Sequence, residues 1–524
     1  MHTKANLTEG NALTIDWKDV VPVDQLDFIM GNPPFLGYSN QNEEQKKEIL
    51  QVYVDENGKS YKTAGKIDYV SAWYFKAACL IKDTPIRAAF VSTNSIVQGE
   101  QVISVWKPLY ERFGIHIDFA RRSFIWNNDS TSKGMAHVHC VIIGFSSQWT
   151  GAKTIYSERE EIPCRIINPY LMDGPVVFLE NRRDPICPVP SMTTGNRPAD
   201  GGFLLLDKDE YQELIKKEPD SKRFIKKLVG AEEFINNKLR YCLWLVDATP
   251  ADIQKMPEVK KRVEGCRLDR LGGADDRKKL ANKPHLFRET KNPNTFMVVP
   301  ATSSENRDYI PIGFLTGDTI PTNAAVIIPE ATKYHFGVLT SSVHMAWMRL
   351  VAGRLKSDYR YSKGIVYNDF VWPNVDEKTE EKISKTAQGI LDARAKYPDC
   401  SFAELYDRTL MPVELREAHQ ANDKAVLKAY GLKTSATDVA ITSHLMKLYI
   451  QKLEEIQVQE VANDAVQKVI GKKAESVPDW MDVLRKQCIE GQISPDDLII
   501  QGKARLKEEK KKAKEAEKVA KTSK

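Results

Sequence analysis

The rhythm of apolar and polar positions changes twice along the chain, and each change marks a boundary. Between Leu26 and Phe145, short apolar runs alternate with stretches of helical spacing. Leu26-Asp27-Phe28-Ile29-Met30 predicts a strand that must stop at Gly31-Asn32-Pro33-Pro34, because successive prolines cannot donate to a sheet ladder. Val70, Trp73, Tyr74, Ala77, Ala78 and Ile81 recur on one helix face, which predicts a helix over 68–82 with Asp68 as its N-cap. Runs 87–93, 114–120 and 137–145 predict further strands. The last two are close enough in sequence to form a hairpin, hence one antiparallel strand. Strands separated by helices predict an α/β domain with a mostly parallel sheet over residues 1–164. From 165 to 375, Pro, Gly, Asn and aromatics rise and only short strand-like runs remain, such as 296–300 and 325–329. This predicts an irregular α+β domain. From 376 the pattern turns helical: a domain over 376–460, then an extension over 461–524. The extension ends in a Lys/Glu-rich tail with almost no apolar face, a solvated helix or a disordered segment.

Composition narrows the class. At 42% hydrophobic and 28% charged residues the chain is an ordinary soluble globular sequence. Eight cysteines without a Cys-x-x-Cys pair argue against a zinc ribbon and against a disulfide-stapled scaffold. His137-x-His139 puts two imidazoles on one strand face, but no third ligand accompanies them, and no metal is expected. The first residues hold no apolar run, and no segment reaches the ~18 apolar residues of a membrane span, so a cytoplasmic location is expected. The net charge of +5 is unevenly held. Residues 503–524 carry ten Lys/Arg and four Glu, a net of +6, which leaves the body at −1. Nucleic-acid contact must therefore come from local patches.

Asn32-Pro33-Pro34-Phe35 is the first candidate for chemistry. The exocyclic amine of adenine is a poor nucleophile, because its lone pair is delocalised into the ring. The Asn32 side-chain oxygen and the Pro33 carbonyl can accept both amine hydrogens and favour a pyramidal nitrogen. The prolines hold these acceptors in place, and Phe35 offers a face for an extruded base. A plain Asn-Pro turn ending a strand, with Phe35 in the core, is the alternative. A second candidate is the stretch 347–367, where Arg349, Arg354, Lys356, Arg360 and Lys363 interleave with Trp347, Tyr359, Tyr361 and Tyr367. Cations and aromatics in this pattern suit a phosphate backbone. A helix end followed by a loop is expected there, with a structural role for the aromatics as the alternative.

The loop at Asn32 resembles motif IV of the adenine-N6 and glutamine-N5 methyltransferases. Further runs narrow the resemblance to the MmeI-like family of S-adenosylmethionine-dependent adenine-N6 DNA methyltransferases. They are Gly10-Asn11-Ala12-Leu13, Asp68 to Tyr74, Phe113 to Ala120, Tyr241 to Leu245, Tyr309 to Phe314 and Gly353 to Ser362. The resemblance covers roughly 8–455. It implies a class I, Rossmann-like methyltransferase domain, double-stranded DNA as partner, and a target-recognition role for 165–375 in which Arg354, Lys356, Arg360, Tyr361 and Lys363 contact DNA. It also implies that Asn11 reaches the adenine of the cofactor; an exposed turn is the alternative. The family's glycine loop and the acidic residue that follows it have no counterpart among these residues. The sheet is therefore expected to lack strands one to three and to expose an edge, which a separate polypeptide would have to cover. A non-catalytic DNA-recognition subunit is the competing reading. Methylation of protein glutamine is disfavoured, since it needs no large second domain with a basic–aromatic segment.

Overall fold

The structure is a computed structural model. It describes residues 5, 7–126, 138–158, 160–355, 357–471 and 477–522, with side chains to 516. The chain divides into two compact units, Met1–Leu445 and Met446–Lys524.

The larger unit begins with a six-stranded sheet: β1 (Phe28–Gly31), β2 (Arg87–Thr93), β3 (His116–Trp126), β4 (Val138–Ser146), β5 (Lys153–Tyr156) and β6 (Glu161–Cys164), in the order β1-β2-β4-β3-β5-β6. Only β1–β2 and β3–β5 pair in parallel; β4 is antiparallel to both β2 and β3, and β6 is antiparallel to β5. The expected mostly parallel sheet is therefore mixed. The reason is chain length: β4 and β6 follow their partners through connections too short for a helical crossover.

Around the sheet lie α1 (Trp17–Val20), α2 (Glu43–Val52), α3 (Ser71–Ile81) and α4 (Gly99–Phe113). In α3 the side chains of Ala72, Tyr74, Phe75, Ala77, Ala78 and Ile81 are all buried. Tyr74 stacks on Phe145, with ring centres 5.3 Å apart, and meets Phe90 and Trp106 edge-on. Its hydroxyl is satisfied by Ser92 Oγ at 2.9 Å, so a polar tip is accommodated inside an aromatic core. α4 stops at Gly114, whose φ of +63° makes the left-handed helix end that glycine favours. The other end of α4 is glycine for a different reason. A Cβ on Gly99 would lie 3.1 Å from the Gly353 Cα, so two backbones touch there.

β1 pairs only with β2 among the described residues. Phe28 and Met30 alternate onto one face of it and are 62% and 82% exposed.

The rest of this unit holds two four-stranded sheets and one three-stranded sheet. The expected strands at 296–300 and 325–329 appear as Thr295–Pro300 and Ala325–Pro329, paired antiparallel in one of them. The other packs over a core that includes Leu204, Leu228, Leu243, Val259 and Cys266. Helices Glu377–Ala395 and Val413–Ala429 follow and pack together. Their inner face is polar at two points. Arg394 donates to the Tyr406 hydroxyl and to the Ile312 carbonyl, and Tyr406 meets His419 at 2.8 Å. Asp423 accepts from the Tyr309 hydroxyl at 2.6 Å and from the Ser342 amide at 2.7 Å.

Burial pushes the Asp423 carboxyl up to about 6 from its usual 3.8. The folded state then holds the proton more tightly than the unfolded chain. The stabilisation is present at acid pH and is lost as pH rises through this window. Asp423→Asn, which mimics the protonated form, should flatten the pH dependence of unfolding by about 1–3 kcal/mol between about pH 4.5 and about pH 7. Urea titrations of both proteins at the two pH values measure it; equal slopes would exclude the effect.

The smaller unit packs its helices around Ala462, Val466, Met481, Leu484 and Leu498. It ends in the helix Pro495–Thr522, so the charged tail is helical through Thr522. Among the described residues no helix is long and apolar enough to cross a membrane.

Candidate active site

β1 ends where the two prolines begin. Pro33 is buried, Phe35 is half-buried, and Asn32 and Pro34 are exposed. Among the described residues the Asn32 side chain has no hydrogen-bond partner, so its amide is available to a ligand. Beyond Phe35 the segment is tied down. The Leu36 carbonyl accepts from the Tyr69 amide at 2.9 Å. The Tyr38 amide donates to Asp68 Oδ1 at 3.2 Å, and Gln41 Nε2 donates to the Ile67 carbonyl at 3.0 Å.

Asp68 is the centre of this clamp. Its second carboxylate oxygen accepts from Ser95 Oγ, just past the end of β2, and Ser95 is linked to Thr93 Oγ1 at 2.8 Å. Its own amide donates to Gln101 Oε1 at 3.1 Å. Asp68 is only 8% exposed, and burial pushes its carboxyl above the usual range despite the bonds from Ser95 and Tyr38. The expected N-cap role is therefore wrong: α3 begins after Val70 with no side-chain cap. The carboxylate is spent on the loop instead. The local pattern signals an acidic residue before a helix, but the partners lie 27 and 30 residues away.

Asn11 is already engaged. Its Oδ1 accepts from the Leu13 amide at 2.9 Å and its Nδ2 donates to Glu48 Oε1 at 2.6 Å. Glu48 also accepts from the Tyr69 hydroxyl. Lys76 donates to the Ala12, Leu13 and Ile15 carbonyls. Asn11 thus shapes its own turn and keeps only a remaining N–H and lone pair for anything else. The cleft beside it, about 490 Å³, is lined by Trp17, Leu26, Phe28, Met30 and Leu80 among others, with no ionisable side chain among the described residues. These residues do not by themselves make a site for the charged amino-acid end of S-adenosylmethionine.

In the basic–aromatic segment, the helix Ser342–Val351 gives way to a hairpin, Gly353–Leu355 paired with Asp358–Arg360, rather than to the loop expected. The Arg354 guanidinium lies 3.8 Å from the Tyr359 ring centre and donates to the Ser357 carbonyl at 3.2 Å. Arg360 is exposed and Lys363 half-buried. Lys356 and His137 fall outside the described residues. Tyr361 corrects the sequence reading: it is 3% exposed and its hydroxyl meets His344 Nε2 at 2.8 Å, so it supports the hairpin from inside. Among the described residues no cluster of His, Cys, Asp or Glu could hold a metal ion.

Three family models match successive parts of the chain. They are the MmeI DNA-methyltransferase domain over 1–157, the MmeI target recognition domain over 173–374 and the MmeI C-terminal domain over 375–457. The chain belongs to the MmeI family. The Asn32 loop lies in the methyltransferase match and the Arg354 hairpin in the target-recognition match of that family. The chain is 39% identical over 459 residues to DNA methyltransferase A of Bacillus subtilis (strain 168), covering 87% of this chain and 51% of that protein. It therefore spans about half the length of this curated relative. It also matches the structure of the Type IIL restriction-modification enzyme MmeI in complex with DNA, at 42% identity and a TM-score of 0.78, covering 87% of this chain and 61% of that one. The architecture is that of the MmeI family: mixed sheets followed by a helical C-terminal region.

Proposed function

We propose that the chain carries the catalytic loop and the recognition region of a site-specific DNA methyltransferase that acts on N6 of adenine, of the restriction-modification type. The six-stranded sheet is read as the later half of a class I methyltransferase sheet. The observation that carries the proposal is the free Asn32 amide beside the Pro33 carbonyl, on a loop clamped at its far end by Asp68.

With an adenine turned out of the duplex, Asn32 Oδ1 and the Pro33 oxygen accept the two amine hydrogens and localise the nitrogen lone pair. No charged base is needed, because the surplus proton leaves after methyl transfer. Phe35 stacks on the base. S-adenosylmethionine, when bound, supplies an electrophilic methyl group. Arg354, Arg360 and Lys363 are the described candidates for DNA contact, with Lys356 as a further one.

The test is nucleoside mass spectrometry of duplex DNA incubated with S-adenosylmethionine and the protein in its natural full length. N6-methyladenine supports the proposal; N4-methylcytosine, or methylated protein glutamine with unmodified DNA, overturns it. The cofactor reading has its own check. Because these 524 residues hold no glycine loop followed by an acidic residue, titration calorimetry of this chain with S-adenosylmethionine should show no binding tighter than about 1 μM. A submicromolar dissociation constant would mean that the cofactor site is built from residues given other roles here.

A further inference from the structure

A recess with several polar side chains on an otherwise apolar lining lies at the same end of the sheet as the Asn32 loop. β2 runs parallel to β1, and β3, like β2, is antiparallel to β4, so the ends of β1, β2 and β3 share one edge. Asn94, Gln98, Arg122, Ser123, Arg349 and Arg354 line a recess of about 300 Å³ there, open to solvent.

Its charges are not balanced. Arg349 Nε donates to Asp438 Oδ2 at 2.9 Å, so that pair is neutral. Among the described residues no carboxylate lies within ion-pair distance of Arg122 or Arg354. Both are held by neutral oxygens instead. Arg122 Nε donates to the Leu171 carbonyl at 3.2 Å, and Arg354 uses the carbonyls of Ser357 and Arg349. Burial pushes the Arg122 guanidinium below its ordinary range, opposed only by the fields of Cys164 and Glu160. Among the described residues, Arg354 Nε and Gln98 Oε1 are buried without a hydrogen-bond partner. A carbonyl fixes the direction of an arginine but leaves its charge uncompensated, and a half-buried cation in that state favours an anion.

We infer that this recess takes one phosphodiester group of the DNA backbone, between the guanidinium groups of Arg122 and Arg354, with Ser123 Oγ and the Asn94 amide as neutral partners. Two planar guanidinium forks lining one recess suit the paired oxygens of a phosphate. The open side lets the sugar chain enter and leave. The position, on the sheet edge that carries Asn32, anchors the strand whose base would reach that loop. This inference rests on the DNA-methyltransferase reading and adds to it a contact from the catalytic sheet itself.

The experiment is fluorescence anisotropy of a labelled duplex pool of random sequence, titrated with the whole chain across a salt series. Arg122→Gln and Arg354→Gln should each lower the slope of log affinity against log salt by about 0.9, one phosphate contact. Arg122→Lys should restore the slope, since it keeps the charge, but not the full affinity, since it loses the fork. Ser123 is exposed, so Ser123→Glu should fold normally with both arginines in place, and its added carboxylate should weaken binding about tenfold or more. Unchanged slope and affinity in all three of Arg122→Gln, Arg354→Gln and Ser123→Glu would overturn the assignment while leaving the methyltransferase reading intact. A thermal shift with inorganic phosphate, lost in Arg122→Gln while duplex slopes stay unchanged, would assign the recess to free phosphate and also overturn it. If the wild-type chain binds no duplex, the recess assignment is overturned, while the methyltransferase reading is decided separately by the nucleoside analysis of the full-length protein.

Discussion

Replacing Asn32 by alanine is expected to slow methyl transfer by about 10²–10³-fold while leaving duplex binding within a factor of about three. The amine of adenine gains nucleophilicity only while both of its hydrogens are held. The Pro33 carbonyl, fixed by its ring, remains in the variant and holds one. The lost contact is one that matters most when charge develops on the nitrogen, so the effect falls on the rate of the bound complex. Because Asn32 is exposed and makes no internal hydrogen bond among the described residues, truncation breaks no internal hydrogen bond there. Folding should be unaffected. Single-turnover rates at saturating protein, with anisotropy for binding, measure the two quantities separately. A rate within threefold of wild type would remove Asn32 from the mechanism.

The second large effect belongs to Asp68. Asp68→Ala leaves the Tyr38 amide without its acceptor and the Ser95 hydroxyl with Thr93 alone, at a part-buried site. An orphaned buried donor costs about 1–3 kcal/mol. Part of that cost appears as lower stability and part as a loosened loop. Asp68 touches no substrate in this scheme; it acts through the segment that carries Asn32. The expected result is therefore a fall in kcat of about tenfold or more, with KM for DNA little changed. Asp68→Asn, which keeps one acceptor oxygen, should recover most of the stability and part of the rate. If Asp68→Ala and Asp68→Asn lose stability equally and both keep wild-type kcat, the clamp is structural only.

The sequence made the elements of the sheet legible where local pattern decides them. β2 is found at the residues expected, and β1 stops where its prolines require. What was not legible depends on distant partners. β3 runs on to Trp126, well past the end its apolar run suggests, because β4 pairs with it along that length. Nothing near Asp68 marks Ser95 and Tyr38 as its partners. Tyr361 carries the composition of a DNA-contacting residue, yet it is enclosed by His344 and its neighbours, and only the fold shows which side of a short hairpin it faces. The Asn32 loop could be proposed from the sequence because the chemistry assigned to it would need only four consecutive residues. The recess around Arg122 was not, because its walls come from segments more than 200 residues apart.

The contact between Gly99 and Gly353 bears on how freely the recognition region could be exchanged. The restriction is one-sided. At Gly99, φ is +55° and an added Cβ would press on the opposite backbone, whereas at Gly353 an added Cβ meets open space. The catalytic side of this seam must stay bare, while the hairpin side tolerates a side chain as long as its main chain follows the same path. A transplanted hairpin of different sequence would therefore seat against α4 without remodelling it, and the limit on such grafts is set by a residue that lies outside the graft.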